Sequence, residues 1–359
     1  MPDMRFAPPN PLRIADRASG LNALSVRSYN ERLVLSLLLQ NDITTRLEIG
    51  EKTGLSAQTV SVIVRSLEHE GLVIRGEAQR GRVGPPTTPL LLNPEGAFSV
   101  GVSVGYRATH IVLVDFVGNV KYQRALRHAV PGIAGDRNEI AREVRAAMAS
   151  LSDDRRSRVA GMGLGIPTPS GSDAQSHENL DRFLEDELGF PVFVQNDITA
   201  AAGGESLFGA AKRLPDFLYF YLGARLHSRL ILNHQIYNGN SPFSLDVGIL
   251  DLENALPEGP DRKRVWESEW NWQDFGPTLD SWSNRCADAL SQSVRSLSQF
   301  IQIETVVLSS FAPPDVCVEL CRMMEQRLPS VRAIVGGTSR APKAVGAAGL
   351  PFSSRFMVE

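Results

Sequence analysis

The residues best suited to chemistry with a partner lie between Thr44 and Arg82, in TTRLEIGEKTGLSAQTVSVIVRSLEHEGLVIRGEAQRGR. A side-chain amide such as Gln58 can pair with an adenine edge, Val62 can touch a thymine methyl, and Arg65 can reach guanine or a phosphate. Ser56, Ala57 and Thr59 stand near the N-terminal end that normally enters a major groove, with Ser61 and His69 further along the same outward face. Arg80 and Arg82 flank Gly81 at the tip of a basic hairpin, where arginines suit the minor groove or the phosphate backbone. The competing reading of the same stretch is a module that makes only protein contacts. Other reactive side chains are sparse. Cys317 and Cys321 fall one helical turn apart with no third or fourth ligand nearby in sequence, which reads as core thiols rather than a metal site. His177 has no metal partners at helical spacing.

The elements that must position the outward face are legible locally. Thr45 with Glu48 fits a capping box, Gly54 permits a tight turn, and Ser56 fits an N-cap. Val60, Ile63, Val64 and Leu67 then recur at helical spacing on the opposite face. A preceding helix over Ser28 to Gln40 supplies Leu33, Leu37 and Leu38 as packing partners. LVIR and PLLLN form the strands of a wing, and the plan is that of a winged helix-turn-helix. The turn Asn93-Pro-Glu-Gly96 marks the domain boundary. Residues 1–23, rich in Pro, Asn and Arg, are expected to be a flexible arm, 24–93 the winged domain, and 94–359 a second domain.

Past Ala97 the pattern changes to three strand-like runs, AFSVGVSVG, THIVLVDFVG and NVKYQRAL, predicting an antiparallel meander. Strands then alternate with helices: a helix near Asn138 to Leu151, VAGMGLGIP, ENLDRFLEDELG, PVFVQND, and the small-residue helix ITAAAGGESLFGAA. FLYFYLG and SRLILNHQIYNG follow. A long helix near Asp280 to Phe300, ETVVLSS, a helix from Asp315 to Arg327, VRAIVG and APKAVGAAGL complete the chain. This is an α/β arrangement whose two halves can be related. The 359 residues exceed one core, and 43% hydrophobic with 21% charged residues is ordinary for a globular protein. A net charge of -3 argues against indiscriminate coating of nucleic acid, and no apolar run is long enough to span a bilayer. Three cysteines and an N-terminus without an apolar signal core predict a cytoplasmic protein.

Taken in order, TGLSAQTVSVIVRSLEHEGLV, GRVGPPTTPLLLNPEGAFSVGVSVG, PVFVQNDITAAAGGESLFGA, FLYFYLG and LILNHQIYNG resemble the ROK family of sugar-responsive repressors and sugar kinases. The resemblance covers nearly everything after the N-terminal arm and implies a two-lobed actin-like domain. It implies Asp197 as the counterpart of the kinase base in the NDxxAA motif, with Asn196 as a sugar contact. Asp197 is equally placed to N-cap the helix beginning at Ile198. Three phosphate-holding segments depart from the family. Ser103-Val104-Gly105-Tyr106-Arg107 lacks the acid and second glycine, Gly223-Ala224-Arg225-Leu226-His227-Ser228-Arg229 lacks the glycine run, and Ser309-Ser310 replaces a glycine pair. Side chains there stand where an anion needs bare amides. Arg225 and Arg229 admit an anion site or a solvated, salt-bridged strand.

The family's zinc site also fails, because Asp246-Val247-Gly248-Ile249 lacks the histidine and no cysteine cluster follows; no metal or cofactor is expected. Asn179, Asn196, Asp197 and Asp246, beside Gly165-Ile166-Pro167 and His177, are the expected effector contacts between the lobes. Asn179 can equally cap the helix after it. WESEWNWQDFGPTLDSW, carrying Trp266, Trp270, Trp272 and Trp282, fits buried packing at a lobe or dimer interface better than a ligand platform. The expected function is a transcription regulator, a repressor of carbohydrate genes. It would bind a double-stranded DNA operator as a homodimer and respond to a sugar in a ROK domain that has lost catalysis. The alternative is an ATP-dependent sugar kinase with an appended DNA-binding domain.

Overall fold

Capping, turn chemistry and apolar periodicity agree at the N-terminal end, and the fold follows them. The computed structural model describes residues 29–41, 44–77, 88–130, 136–167, 179–237, 245–259, 261–267, 271–338 and 341–358. Helix α1 is described over Tyr29–Asn41, ending one residue beyond the predicted Gln40, α2 spans Arg46–Thr53 and α3 Ala57–His69. The capping box forms as predicted: Thr45 N donates to Glu48 Oε2 at 2.8 Å while Glu48 N donates to Thr45 Oγ1 at 3.2 Å. Gly54 ends α2 in the left-handed region at φ 71°, the conformation a Cβ disfavours. Strands β1 (Val73–Arg75) and β2 (Leu90–Leu92) pair antiparallel, and Thr44 bridges to Leu90 on the other side of β2. Glu68 on α3 binds Arg75 at 2.6 Å and lies 3.7 Å from Arg46, tying helix, wing and α2 together. The Arg75 guanidinium holds the Glu68 carboxyl below its ordinary range despite the opposing effect of burial.

The meander is β3 (Phe98–Val104), β4 (Ala108–Asp115) and β5 (Val120–Arg127). Helices α4 (Arg137–Ala149) and α5 (Asp153–Arg156) lead to β6 (Val159–Ile166); α6 (Leu180–Leu188) leads to β7 (Val192–Asn196), and α7 (Asp197–Leu207) follows. These strands form one mixed sheet, ordered β5-β4-β3-β6-β7, with β6 and β7 parallel to β3. A second sheet repeats the plan. It comprises β8 (Phe217–Leu222), β9 (Leu226–Leu232), β10 (Gln235–Ile236), β11 (Thr305–Ser310) and β12 (Arg332–Val335), ordered β10-β9-β8-β11-β12. The sheets define lobe one and lobe two, and the two halves expected from the α/β alternation share one topology. Helices α8 (Ile249–Ala255), α9 (Asp261–Arg264), α10 (Pro277–Leu297), α11 (Pro314–Arg327) and α12 (Pro342–Phe356) complete the described elements. Helix α8 had no signal in the periodicity, being a short run entered from a glycine without a side-chain cap.

Helix α12 sits directly on lobe one. A Cβ at Gly101 of β3 would overlap the Ala344 carbonyl, and one at Gly163 of β6 would overlap the Ala347 carbonyl. Glycine therefore permits helix backbone to rest on strand backbone. The C-terminal end of α12 reaches the winged domain: Arg32 Nη2 donates to Ser354 O at 3.2 Å, and Val358 N donates to Ser36 Oγ at 3.1 Å. One apolar core runs from Leu35, Val64 and Leu72 of the winged domain through Phe116 to Phe352 and Phe356. Trp272 and Trp282 are buried as expected, but in a separate core within lobe two rather than at a lobe or dimer interface, whereas Trp270 lies outside the described residues. Among the described residues, no helix is long and apolar enough to cross a membrane.

Candidate functional site

Ser56 caps α3 by accepting from Thr59 N at 3.1 Å, which fixes the helix start and thereby its outward face. Val60, Ile63, Val64 and Leu67 are buried beneath it. Ser56, Ala57, Gln58, Val62, Arg65 and His69 are exposed on the other side, with Thr59 and Ser61 half-buried between. Val62 is 60% exposed, an apolar side chain held in solvent. Arg80 and Arg82 lie outside the described residues.

The second site centres on the junction of β7 and α7. Asn196, not Asp197, caps α7: its Oδ1 accepts from Ile198 N and Thr199 N, each at 3.1 Å. The same Oδ1 accepts from Arg229 Nη2 at 2.6 Å, while Arg229 Nε donates to Thr199 Oγ1 at 2.9 Å. Asp197 is the first helical residue and is buried, so its carboxylate needs a partner. That partner is Lys343 at the start of α12, whose Nζ lies 2.5 Å from Asp197 Oδ2 and 4.5 Å from the centre of the Tyr221 ring. Burial would pull the Lys343 ammonium down, yet the charge of Asp197 carries it above the ordinary lysine value. Lys343 stands 146 residues from Asp197, and only the register of α12 on α7 reveals it.

The other expected contacts do not gather there. Asp246 has its side chain 86% exposed and lies 3.5 Å from Arg225, so it pairs on the surface instead of facing Asp197. A short aspartate on an irregular approach to α8 has no scaffold to turn it inward. Asn179 is exposed at φ 61° and makes no side-chain cap bond to α6, which corrects the capping reading. Gly165 does approach, a Cβ there lying 3.4 Å from Asp197 Cα. His177 lies outside the described residues. Arg229 is half-buried and hydrogen-bonded across to α7, with no salt bridge among the described residues. Burial pushes His227 down to about 4, with the Lys343 charge adding to it, so the imidazole is neutral near pH 7. The three cysteine thiols are pushed up to about 12 by burial, consistent with packing rather than ligation.

The three altered loops are closed by their own side chains and carbonyls. Arg107, in the turn after β3, binds Glu253 of α8 through Nη2 at 2.8 and 3.0 Å, and its guanidinium lies 5.0 Å from the Trp266 ring centre. Trp266 Nε1 donates to the same carboxylate at 2.7 Å, and its ring stacks on Phe311 at 5.5 Å. The Gly223 and Ala224 carbonyls accept from Ile249 N and Leu250 N at the start of α8. Ser310 Oγ donates to Leu222 O at 2.6 Å and accepts from Ala312 N at 2.9 Å. Two amides of these loops are also engaged within the protein, Gly105 N donating to Ala108 O at 2.9 Å and Gly223 N to Arg225 O at 3.1 Å.

Residues 27–74 match the winged helix-turn-helix DNA-binding family and residues 100–260 match the ROK family. The xylose repressor of Bacillus subtilis (strain 168) is 26% identical over 246 residues, covering 65% of this chain and 63% of the repressor. The match therefore spans less than two thirds of that relative. A solved ROK family transcriptional regulator, a homologue of the E. coli MLC protein, superposes with a TM-score of 0.60 at 14% identity, covering 91% of this chain and 98% of that one. A ROK family glucokinase from Streptomyces griseus, in complex with glucose and AMPPNP, superposes with a TM-score of 0.54 at 18% identity, covering 71% and 99%. At such identities the structural likeness speaks to the fold.

Proposed function

We propose that the chain, whose residues 27–74 match the winged helix-turn-helix family and 100–260 the ROK family, is a sequence-specific DNA-binding transcription regulator. The observation that carries this reading is the face of α3: a rigidly capped helix presents Gln58, Val62 and Arg65 outward while its other face is fully buried. In this reading residues 24–93 are the DNA-binding domain and 94–359 the effector and dimerisation domain. Helix α3 enters the major groove, where Gln58 pairs an adenine edge and Arg65 reaches guanine or phosphate. Arg80 and Arg82 hold the backbone or minor groove beside it. One winged helix reads a half-site, so the functional unit is a homodimer in the cytoplasm. Binding-site selection on the wild type and Gln58→Ala tests the assignment. The variant should return a consensus relaxed at one base pair per half-site, and an unchanged consensus would show that Gln58 does not read DNA.

The regulator acts as a repressor that a sugar releases, by binding between the lobes and favouring a spacing of the two winged domains that fits the operator poorly. The strength of that coupling equals the difference in sugar affinity between the two spacings. The xylose repressor relative and the ROK region support a sugar as effector. Catalysis is absent in this reading, because Asp197 is engaged by an ammonium and the former phosphate loops are self-bonded. The rival, a sugar kinase, rests on Asp197 alone. An ATP-dependent phosphorylation assay across hexoses and pentoses separates the two, since turnover lost in Asp197→Asn would establish the kinase.

A further inference from the structure

We propose that the groups converging on the start of α7 form a subsite for an anion, so that the effector is an acidic sugar carrying one carboxylate or phosphate. This rests on the reading that the ROK region takes a sugar, and it names the class of that sugar. The argument is one of charge. Two cations reach the Asn196-Asp197 corner from outside α7: Lys343 from the start of α12 and Arg229 from β9. Asp197 is paired with Lys343 at 2.5 Å. Arg229 binds only neutral acceptors among the described residues: Asn196 Oδ1, Thr199 Oγ1, and Ser228 O at 2.7 Å. No carboxylate of the described residues therefore neutralises it at contact distance.

The neighbours do not restore the balance. Tyr221, beneath Lys343, has its phenol pushed up by burial and stays neutral, and so does His227 across the strand pair. Arg225 is matched by Asp246 on the surface. The corner thus holds two positive side chains against one negative, with Arg229 half-buried and itself pulled below its usual value by desolvation. Asp197, whose charge also acts on Arg229, is shared between the two cations, and a partly buried net positive charge costs free energy that a bound anion would offset. A guanidinium with three N–H groups committed still has two to offer, in the planar geometry that suits carboxylate and phosphate oxygens. The starts of α7 and α12, 11 and 15 residues long, both lie at this corner and add to the positive potential, although Asn196 caps the first.

Calorimetry on the full chain tests this with six probes: D-glucose, D-xylose, D-gluconate, D-glucuronate, glucose 6-phosphate and inorganic phosphate. An acidic sugar should bind about tenfold or more tightly than D-glucose, as one charge-assisted contact implies. Gluconate and glucuronate against glucose 6-phosphate decide which anion it is. Arg229→Gln should erase that preference, and Lys343→Met should lower acidic-sugar affinity in the same direction. Equal or tighter binding of a neutral sugar overturns the anion subsite and leaves the sugar-responsive reading standing. Inorganic phosphate binding as tightly as glucose 6-phosphate overturns it as well, since the sugar would then contribute nothing. Failure of all six probes overturns both.

Discussion

A single buried ion pair joins two distant parts of the chain, and its consequences are local and measurable. Lys343 and Asp197 lie 2.5 Å apart with side chains 18% and 3% exposed. Removing one partner strands a charge in a site that cannot hydrate it, which typically costs about 3–5 kcal/mol. Asp197→Asn and Lys343→Met should each lower urea-unfolding stability by that order, and the double variant should cost much less than their sum. A double variant that is simply additive would mean the pair is not coupled. His110 gives a second residue-scale expectation. Burial, then the Lys343 charge, pushes it down to about 4, and its Nδ1 is buried without a hydrogen-bond partner among the described residues. An unfolded histidine titrates near 6.5, so the unfolded state takes up the proton first on acidification. The stabilisation is complete above about pH 6.5 and is lost as pH falls toward 4. Between pH 7 and 5 the wild type should lose about 2 kcal/mol through this group, a loss absent in His110→Gln.

At the scale of elements, legibility in the sequence followed range. The capping box, Gly54 and the apolar face of α3 are written within a dozen residues, and they formed as the spacing predicted. Ser56→Ala should accordingly cost about 1 kcal/mol in thermal unfolding. The NDxxAA corner was located correctly, yet the division of labour within it was not: Asn196 takes the capping role because Asp197 is drawn to Lys343. Nothing near Asp197 in sequence encodes a partner at the head of the last helix. The surface position of Asp246 was equally hidden, since it depends on how the chain enters α8 and not on residue type. The crossing of α7 and α12 is likewise set by distant small residues. A Cβ at Gly346 would overlap the Ala200 carbonyl, and one at Gly204 would lie 2.7 Å from Gly346 Cα. Gly346→Val should therefore force the helices apart, destabilising by about 1–3 kcal/mol and weakening the Lys343–Asp197 pair with it. A variant of unchanged stability would show that the crossing tolerates separation.

For the whole molecule, α12 decides what moves with what. Its first turn holds Asp197, its middle lies on the glycines of β3 and β6, and its last turn carries Phe352 and Phe356 into the core shared with the winged domain. The edge-on contacts of Phe116 with Phe352 and Phe356, at 5.3 and 4.9 Å, close that core. The winged domain is therefore bonded to lobe one as one body, with Arg32 and Ser36 gripping the end of the helix. Lobe two keeps a separate core around Trp272 and Trp282, and all four tryptophans of the chain fall between positions 266 and 282. This asymmetry supplies its own probe. Phe356→Ala empties a buried aromatic site and should cost about 3–5 kcal/mol where that core is shared. Amide exchange in α1 and α3 should then accelerate together with that in β4, while the tryptophan emission transition of lobe two moves far less. If α1 and α3 loosened while β4 kept its protection, the winged domain would be a separately tethered unit. A ligand acting on lobe one could not then reposition it through α12.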